Sequence, residues 1–299
     1  MYAALAADAG IAVAKFVGAA VTGSSSMLAE AVHSVADTAN QGLLLIGQRR
    51  AEQAPDRLHP FGYGRNRYFY AFVVALVLFS LGSLAVIDEG IHKIRDPEHL
   101  SDPLVAIVIL LVAMVLEGFS LATATRESRP LKQRASWWAF IRNSRNPELP
   151  VVLLEDSGAL IGLVLAFAGV GLTMATGDPI WDGIGTLGIG VLLGAIATVL
   201  IVEMKSLLIG EGATAAQDRA LRSNLVDGRW IERVIHLETQ YLGPEELLVA
   251  AKLAIAPGTG IAELAAAIDA AEARVRAAVP IARRIYLEPD LDRGRSAGS

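Results

Sequence analysis

The stretch Ser26-Met-Leu-Ala-Glu-Ala-Val-His-Ser-Val-Ala-Asp-Thr-Ala-Asn-Gln places His33 and Asp37 four residues apart. In a helix that spacing stacks the two side chains on one face. An imidazole nitrogen beside a carboxylate oxygen makes half of a tetrahedral divalent-metal site. Glu30 stands one turn earlier on nearly the same side, and Asn40 and Gln41 one turn later. A second acidic pair, Glu155 and Asp156, occurs in Val151-Val-Leu-Leu-Glu-Asp-Ser-Gly-Ala-Leu-Ile-Gly. Adjacent helical residues point about 100° apart, so one of the two is expected to face an ion and the other a polar neighbour. Gly158, Ala159 and Gly162 allow a close helix approach there. Packing of the two segments would bring two pairs of ligands together.

Both pairs lie inside apolar runs. The chain of 299 residues is 53% hydrophobic and 19% charged, with mean hydropathy +0.46; a soluble domain carries about 25% charged residues. Crossing a bilayer takes about 20 apolar residues, and six runs meet that need, near residues 3–22, 27–47, 68–91, 103–125, 150–176 and 183–208. The first lacks a basic leader and a cleavage site and reads as a helix rather than a signal peptide. Arg49, Arg50, Arg57, Arg65 and Arg67 follow the second run, and Arg126, Arg129, Lys132, Arg134, Arg142 and Arg145 follow the fourth. Residues 22–26 and 177–182 carry no Lys or Arg. The basic side, with both termini, is therefore expected to be cytoplasmic. No organelle address is evident, and a bacterial inner (plasma) membrane is the expected location.

A charge at the centre of a spanning helix costs about 2.5–3.5 kcal/mol on insertion scales. A purely structural polar contact in a membrane returns only about 0.6 kcal/mol, so a bound cation explains two acidic clusters better than bundle cohesion does. Other intramembrane charges rank lower. Asp8 is expected to face the same cavity, Lys15 to pair with a carboxylate or snorkel, and Glu117 to hydrogen-bond a neighbouring helix. Asp88, Glu89, Glu203 and Lys205 read as interfacial, as do Trp137 and Trp138 beside the basic loop. A zinc protease would need His-Glu-x-x-His, which the sequence lacks. A serine protease would need facing partners, whereas His33 and Ser34 are neighbours. The absence of Cys excludes a disulfide scaffold. A net charge of −5 and a pI near 5.6 argue against nucleic-acid binding.

After Gly210 the chain reads as soluble protein. The spacing predicts a helix over Ala213–Leu225, strands over Val234–Tyr241 and Glu246–Ile255 about a Leu-Gly-Pro-Glu turn, a helix over Ile261–Val279 and a strand over Arg284–Leu287. That order predicts a two-layer α+β domain. The expected organisation is a membrane domain over 1–209, a cytoplasmic domain over 210–290 and a disordered tail over 291–299.

The sequence resembles the cation diffusion facilitator family. The resemblance rests on Gly23-Ser-Ser-Ser-Met-Leu-Ala-Glu-Ala-Val-His-Ser-Val-Ala-Asp, on His59-Pro-Phe-Gly-Tyr-Gly-Arg opening the third span, and on the plan of six spans and an α/β tail. It implies a proton-coupled exporter of zinc and related divalent metals and a homodimer in a lipid bilayer. It also implies a ferredoxin-like cytoplasmic domain and a metal site between spans 2 and 5 with His33 and Asp37 as ligands. It implies no cofactor, the metal being cargo. Many zinc members carry a His four residues before the Asp of span 5. Here that position is Val152, and Glu155-Asp156 resembles the branch of the human zinc transporter nine type. The expected shell is His33, Asp37 and Asp156, with Glu155 or a water as the fourth ligand. Iron, manganese or cobalt is the alternative cargo, and a non-transporting metal sensor the alternative role. Metal would require neutral His and ionised carboxylates; protonation of His33, with a reference pKa of about 6.5 for its type, would release it. The cytoplasmic domain has one His, His236, with Glu288, Asp290 and Asp292 as isolated acids, and is read mainly as a dimerisation module.

Overall fold

The computed structural model describes residues 2–76, 80–97, 100, 102–132 and 136–291. Ten α-helices and three strands follow one another among these residues. They fall into two compact units, one of residues 1–50 and 67–205, the other of residues 51–66 and 206–299.

The first unit is helical. It contains α1 (Tyr2–Thr22), α2 (Ser25–Ala51), α3 (Asn66–Val74), α4 (Ser80–Arg95), α5 (Pro103–Lys132), α6 (Trp137–Asn143), α7 (Glu148–Thr176) and α8 (Ile180–Ile209). Among the described residues, α5, α7 and α8 are each long and apolar enough to cross a membrane. Val108, Val115 and Phe119 point outward from α5, an apolar face suited to hydrocarbon and costly in water. The three earlier expected spans look different. The apolar part of α1 among the described residues is Gly10–Thr22. In α2 the carboxylates and the terminal Arg49 and Arg50 dilute the apolar content. The third run is divided between α3 and α4, with residues 77–79 outside the described residues.

Short connections are set by local chemistry. Gly23, with φ of 68°, closes α1 so that Ser24–Ser26 can begin α2. Gly177 adopts the left-handed conformation and donates its N–H to the Thr173 carbonyl, ending α7. Between α4 and α8 the backbones nearly touch. A Cβ on Gly90 would lie 2.7 Å from the Leu187 nitrogen, and one on Gly190 would lie 2.9 Å from the Ile87 nitrogen. Ser83 donates to the Gly190 carbonyl at 2.7 Å across the same crossing. Small residues permit the approach, and the hydroxyl uses it.

The second unit is an α+β domain with α9 (Ala215–Leu225), β1 (Ile231–Gly243), β2 (Glu246–Ile255), α10 (Ile261–Ala278) and β3 (Ala282–Asp290). The helix and strand order is the expected one. β1 and β2 pair antiparallel around a short turn, from Ile231 opposite Ile255 to Gly243 opposite Glu246. β2 and β3 pair parallel, and α10 makes the crossover that a parallel pair requires. Leu247, Val249, Ala251 and Leu253 alternate along β2 and join a core with Leu221 and Leu225 of α9 and Ala267, Ala271 and Val275 of α10. A capping box between Thr214 and Gln217 opens α9. The outer strands run longer than their apolar cores suggested. β3 extends to Asp290 because an edge strand tolerates Pro289 and exposed charges. Of the expected tail, residues 292–299, Asp292 among them, lie outside the described residues.

The motif His59-Pro-Phe-Gly-Tyr-Gly is not a helix opening. α3 starts after it, at Asn66, and residues 51–66 belong to the compact unit of the sheet. A Cβ on Gly64 would meet the Leu242 carbonyl oxygen at 2.7 Å. Proximity in sequence to an apolar run hid that packing.

Candidate metal centre

The site begins with two helices whose polar groups lie deep in an apolar unit. Asn40 of α2 donates its side-chain amide to Oε1 of Glu155 on α7. Asn40 and Glu155 are both buried. At the next residue of α7, and against a third helix, Ser120 of α5 donates to Oδ2 of Asp156 at 3.0 Å. Glu155 and Asp156 border one cavity of about 30 Å³, together with Ser34 and Gln41 of α2 and Glu117 and Ser120 of α5. That volume admits one or two water-sized occupants, which fits a single cation. Ile11 of α1 and Val152 complete the wall. Val152 thus stands at the cavity without a donor atom.

His33 is buried on α2, with 1% of its surface exposed. It is not part of the described cavity wall. Asp37 lies near the middle of the 27-residue α2, on the His33 face by helical spacing; its side chain lies outside the described residues, as does that of Asp8. Among the described residues no three His, Asp or Glu side chains stand close enough together to hold a metal ion. The structure therefore brings Glu155 and Asp156 to one cavity and puts His33 on the neighbouring helix. The 100° between the adjacent acids does not part them: each borders the cavity, and each accepts from a different helix.

Two polar clusters were not singled out from the sequence as organised sites. The first joins α1, α2 and α5. Lys15, 1% exposed, donates to Ser34 Oγ at 2.7 Å and lies 3.3 Å from Glu30 and 3.9 Å from Glu117. Of the alternatives held for Lys15, pairing is the observed one. Glu30 in turn lies against Gly162 of α7, where any Cβ would collide with its carboxylate. The second cluster surrounds Asp182 at the start of α8. Its carboxylate accepts from Ser24 Oγ at 2.8 Å, from the Ser25 backbone N–H at 2.8 Å and hydroxyl at 2.9 Å, and from Ser26 Oγ. It sits at the positive end of α2. The serine triplet before a helix was the available signal. Near the other end of α8, Glu203 pairs with Arg142 of α6 at 3.4 Å.

In the second unit the two acidic candidates among the described residues, Glu288 and Asp290, are paired with a lysine. Lys252 lies 3.1 Å from Glu288 and 3.0 Å from Asp290, and these carboxylates, Asp290 first, push the lysine pKa up. His236 is the partner of Lys252 across the β1–β2 ladder. In the His59 motif, Asp56 accepts from the Tyr63 hydroxyl at 2.6 Å and from the backbone N–H groups of His59 and Leu58. The Tyr63 bond, then the His59 N–H, hold the Asp56 carboxyl below its usual range, and the same bond raises Tyr63.

The sequence matches the cation efflux transmembrane domain over residues 1–209. It is 35% identical to the human mitochondrial proton-coupled zinc antiporter SLC30A9 over 224 residues, covering 74% of this chain and 39% of that protein. The corresponding antiporter of Xenopus laevis is 37% identical over 217 residues, with 72% and 39% covered. Metal tolerance protein C4 of Arabidopsis thaliana is 31% identical over 220 residues, with 73% and 48% covered. The chain thus spans less than half the length of these relatives. A helical unit with membrane-length apolar helices, acids gathered at one cavity and a domain match over most of the sequence lead to one conclusion: the chain belongs to the cation efflux, or cation diffusion facilitator, family of membrane transporters.

Proposed function

We propose that the protein moves a divalent cation, zinc foremost, out of the cytoplasm in exchange for protons, through a site between α2 and α7. The observation that carries this reading is the cavity bordered by Glu155 and Asp156 within the apolar helical unit. Carboxylates are not kept at such depth without a cation or donors to hold them. His33 and Asp37 of α2 complete the shell when that helix turns its ligand face to the cavity. Metal requires the deprotonated groups, so protons arriving from the far side displace it, and the two fluxes are coupled by competition. Rocking of helices about the site would give each side access in turn. The name of the SLC30A9 antiporters supports proton coupling and zinc.

The six runs read from the sequence are proposed as six spans, with both termini on the side of the Arg-rich segments, the cytoplasmic face of a bacterial plasma membrane. The second unit is proposed as a ferredoxin-like module that joins two copies into a homodimer. The wall also favours a second cargo reading. Gln41, Ser34 and Ser120 offer oxygen donors where Val152 offers none, and an oxygen-rich set suits manganese or iron as well as zinc.

Zinc flux into proteoliposomes carrying an imposed pH gradient tests the proposal, with Asp37→Ala as the blank. Saturable, gradient-driven flux that the substitution abolishes is expected. Zinc binding without flux of zinc, manganese or iron would make the protein a sensor and overturn it.

A further inference from the structure

A lysine ammonium has three donors and no acceptor, and its burial needs partners that replace water. Glu30 and Ser34, at 3.3 and 2.7 Å from Lys15 Nζ, supply them. A structural ion pair would be complete there. Glu117 is a further carboxylate from another helix, 3.9 Å from the same ammonium, and it also borders the cavity with Glu155 and Asp156. Ser34 is likewise on the wall. The ammonium thus touches two wall residues. We propose that Lys15 is a resident counter-cation of the cavity, which competes with the carried ion for the Glu117 carboxylate. The inference rests on the reading of that cavity as the cation site. Its consequence follows from electrostatics: a fixed positive charge at the wall repels a divalent ion, and it engages a carboxylate that would otherwise bind it. A transport site must hold its ion firmly enough to load and weakly enough to unload. Lys15 acts on the second requirement, and Glu117 gives the ion a ligand outside α2 and α7.

The test is zinc affinity of the purified full chain in detergent, by calorimetry, with circular dichroism as the folding check. The double variant Lys15→Gln/Glu30→Gln removes both charges of the buried pair and frees the Glu117 carboxylate for the ion. It is expected to bind zinc about tenfold tighter and to release it more slowly in liposomes. Glu117→Gln leaves the Lys15–Glu30 pair in place and is expected to weaken zinc binding about tenfold. A role confined to structure would move the melting temperature and leave both affinities unchanged, which overturns the proposal. Should the double variant not fold, Glu117→Gln decides alone: weaker binding supports the proposal, and unchanged binding overturns it. A native protein that binds neither zinc nor manganese removes the cation-site reading itself, a result distinct from either affinity outcome.

Discussion

Asn40 of α2 donates its amide to the buried Glu155 carboxylate of α7, and the bond ties together the two helices whose acids were read as one site. Replacing Asn40 by Ala removes a donor from a buried anion. A loss of about 1–3 kcal/mol in stability is expected, measured by denaturant unfolding in detergent. Asn40→Asp sets a second carboxylate against the first and is expected to destabilise more, with partial recovery when zinc is added.

Asp182 holds the start of α2 through three serines. Hydrogen bonds to a charged group are worth about 1.5–3 kcal/mol each at best, and they share one carboxylate here. Asp182→Ala is expected to cost about 3 kcal/mol, with Asp182→Asn milder, because the amide oxygen still accepts. Thermal unfolding checks the order. Equal melting temperatures for both variants and the native protein would show that the α2 start is held by other means.

The α4–α8 crossing is expected to be intolerant of one carbon atom. Gly90→Ala or Gly190→Ala drives a Cβ into backbone on the facing helix, where no side chain can move aside. A cost of about 1–3 kcal/mol is expected for each. Gly171→Ala, where the added Cβ meets nothing within 4 Å, is the neutral control in the same assay.

The Asp56–Tyr63 turn predicts a pH dependence confined to the second unit. Asp56 has a folded-state pKa below its unfolded value, with the Tyr63 hydroxyl bond as the main cause. Its contribution to stability is therefore present above the unfolded carboxylate pKa, and it is lost as pH falls through the lower folded value. The loss of melting temperature on acidification should shrink in Tyr63→Phe, which removes the main cause. An identical acid profile for the two proteins would refute the assignment.

Much of this was legible in the chain because it is written in local pattern. The α7 and α8 runs, the turn between β1 and β2, and the alternation of Leu247, Val249, Ala251 and Leu253 each follow from periodicity over a few residues. Glu155 and Asp156 stood out because carboxylates are conspicuous in an apolar run. What was hidden is relational. Nothing near Lys15 in sequence names Glu30, Ser34 and Glu117 as its partners. Asp182 reads as a loop acid until α2 is packed beside α8. The His59 motif precedes α3 in the chain yet packs with β1, since Gly64 fits against the Leu242 backbone rather than into a helix.

The central claim is that a divalent cation is held by residues of α2 and α7 together. X-ray absorption at the zinc edge of the zinc-loaded native protein tests it most directly, alongside Asp156→Asn and His33→Gln. One imidazole nitrogen and carboxylate oxygens at about 2.0–2.2 Å are expected, with the nitrogen lost in His33→Gln and zinc occupancy falling in both variants. A zinc spectrum of oxygens alone, identical in all three proteins, would place the metal elsewhere and contradict the account.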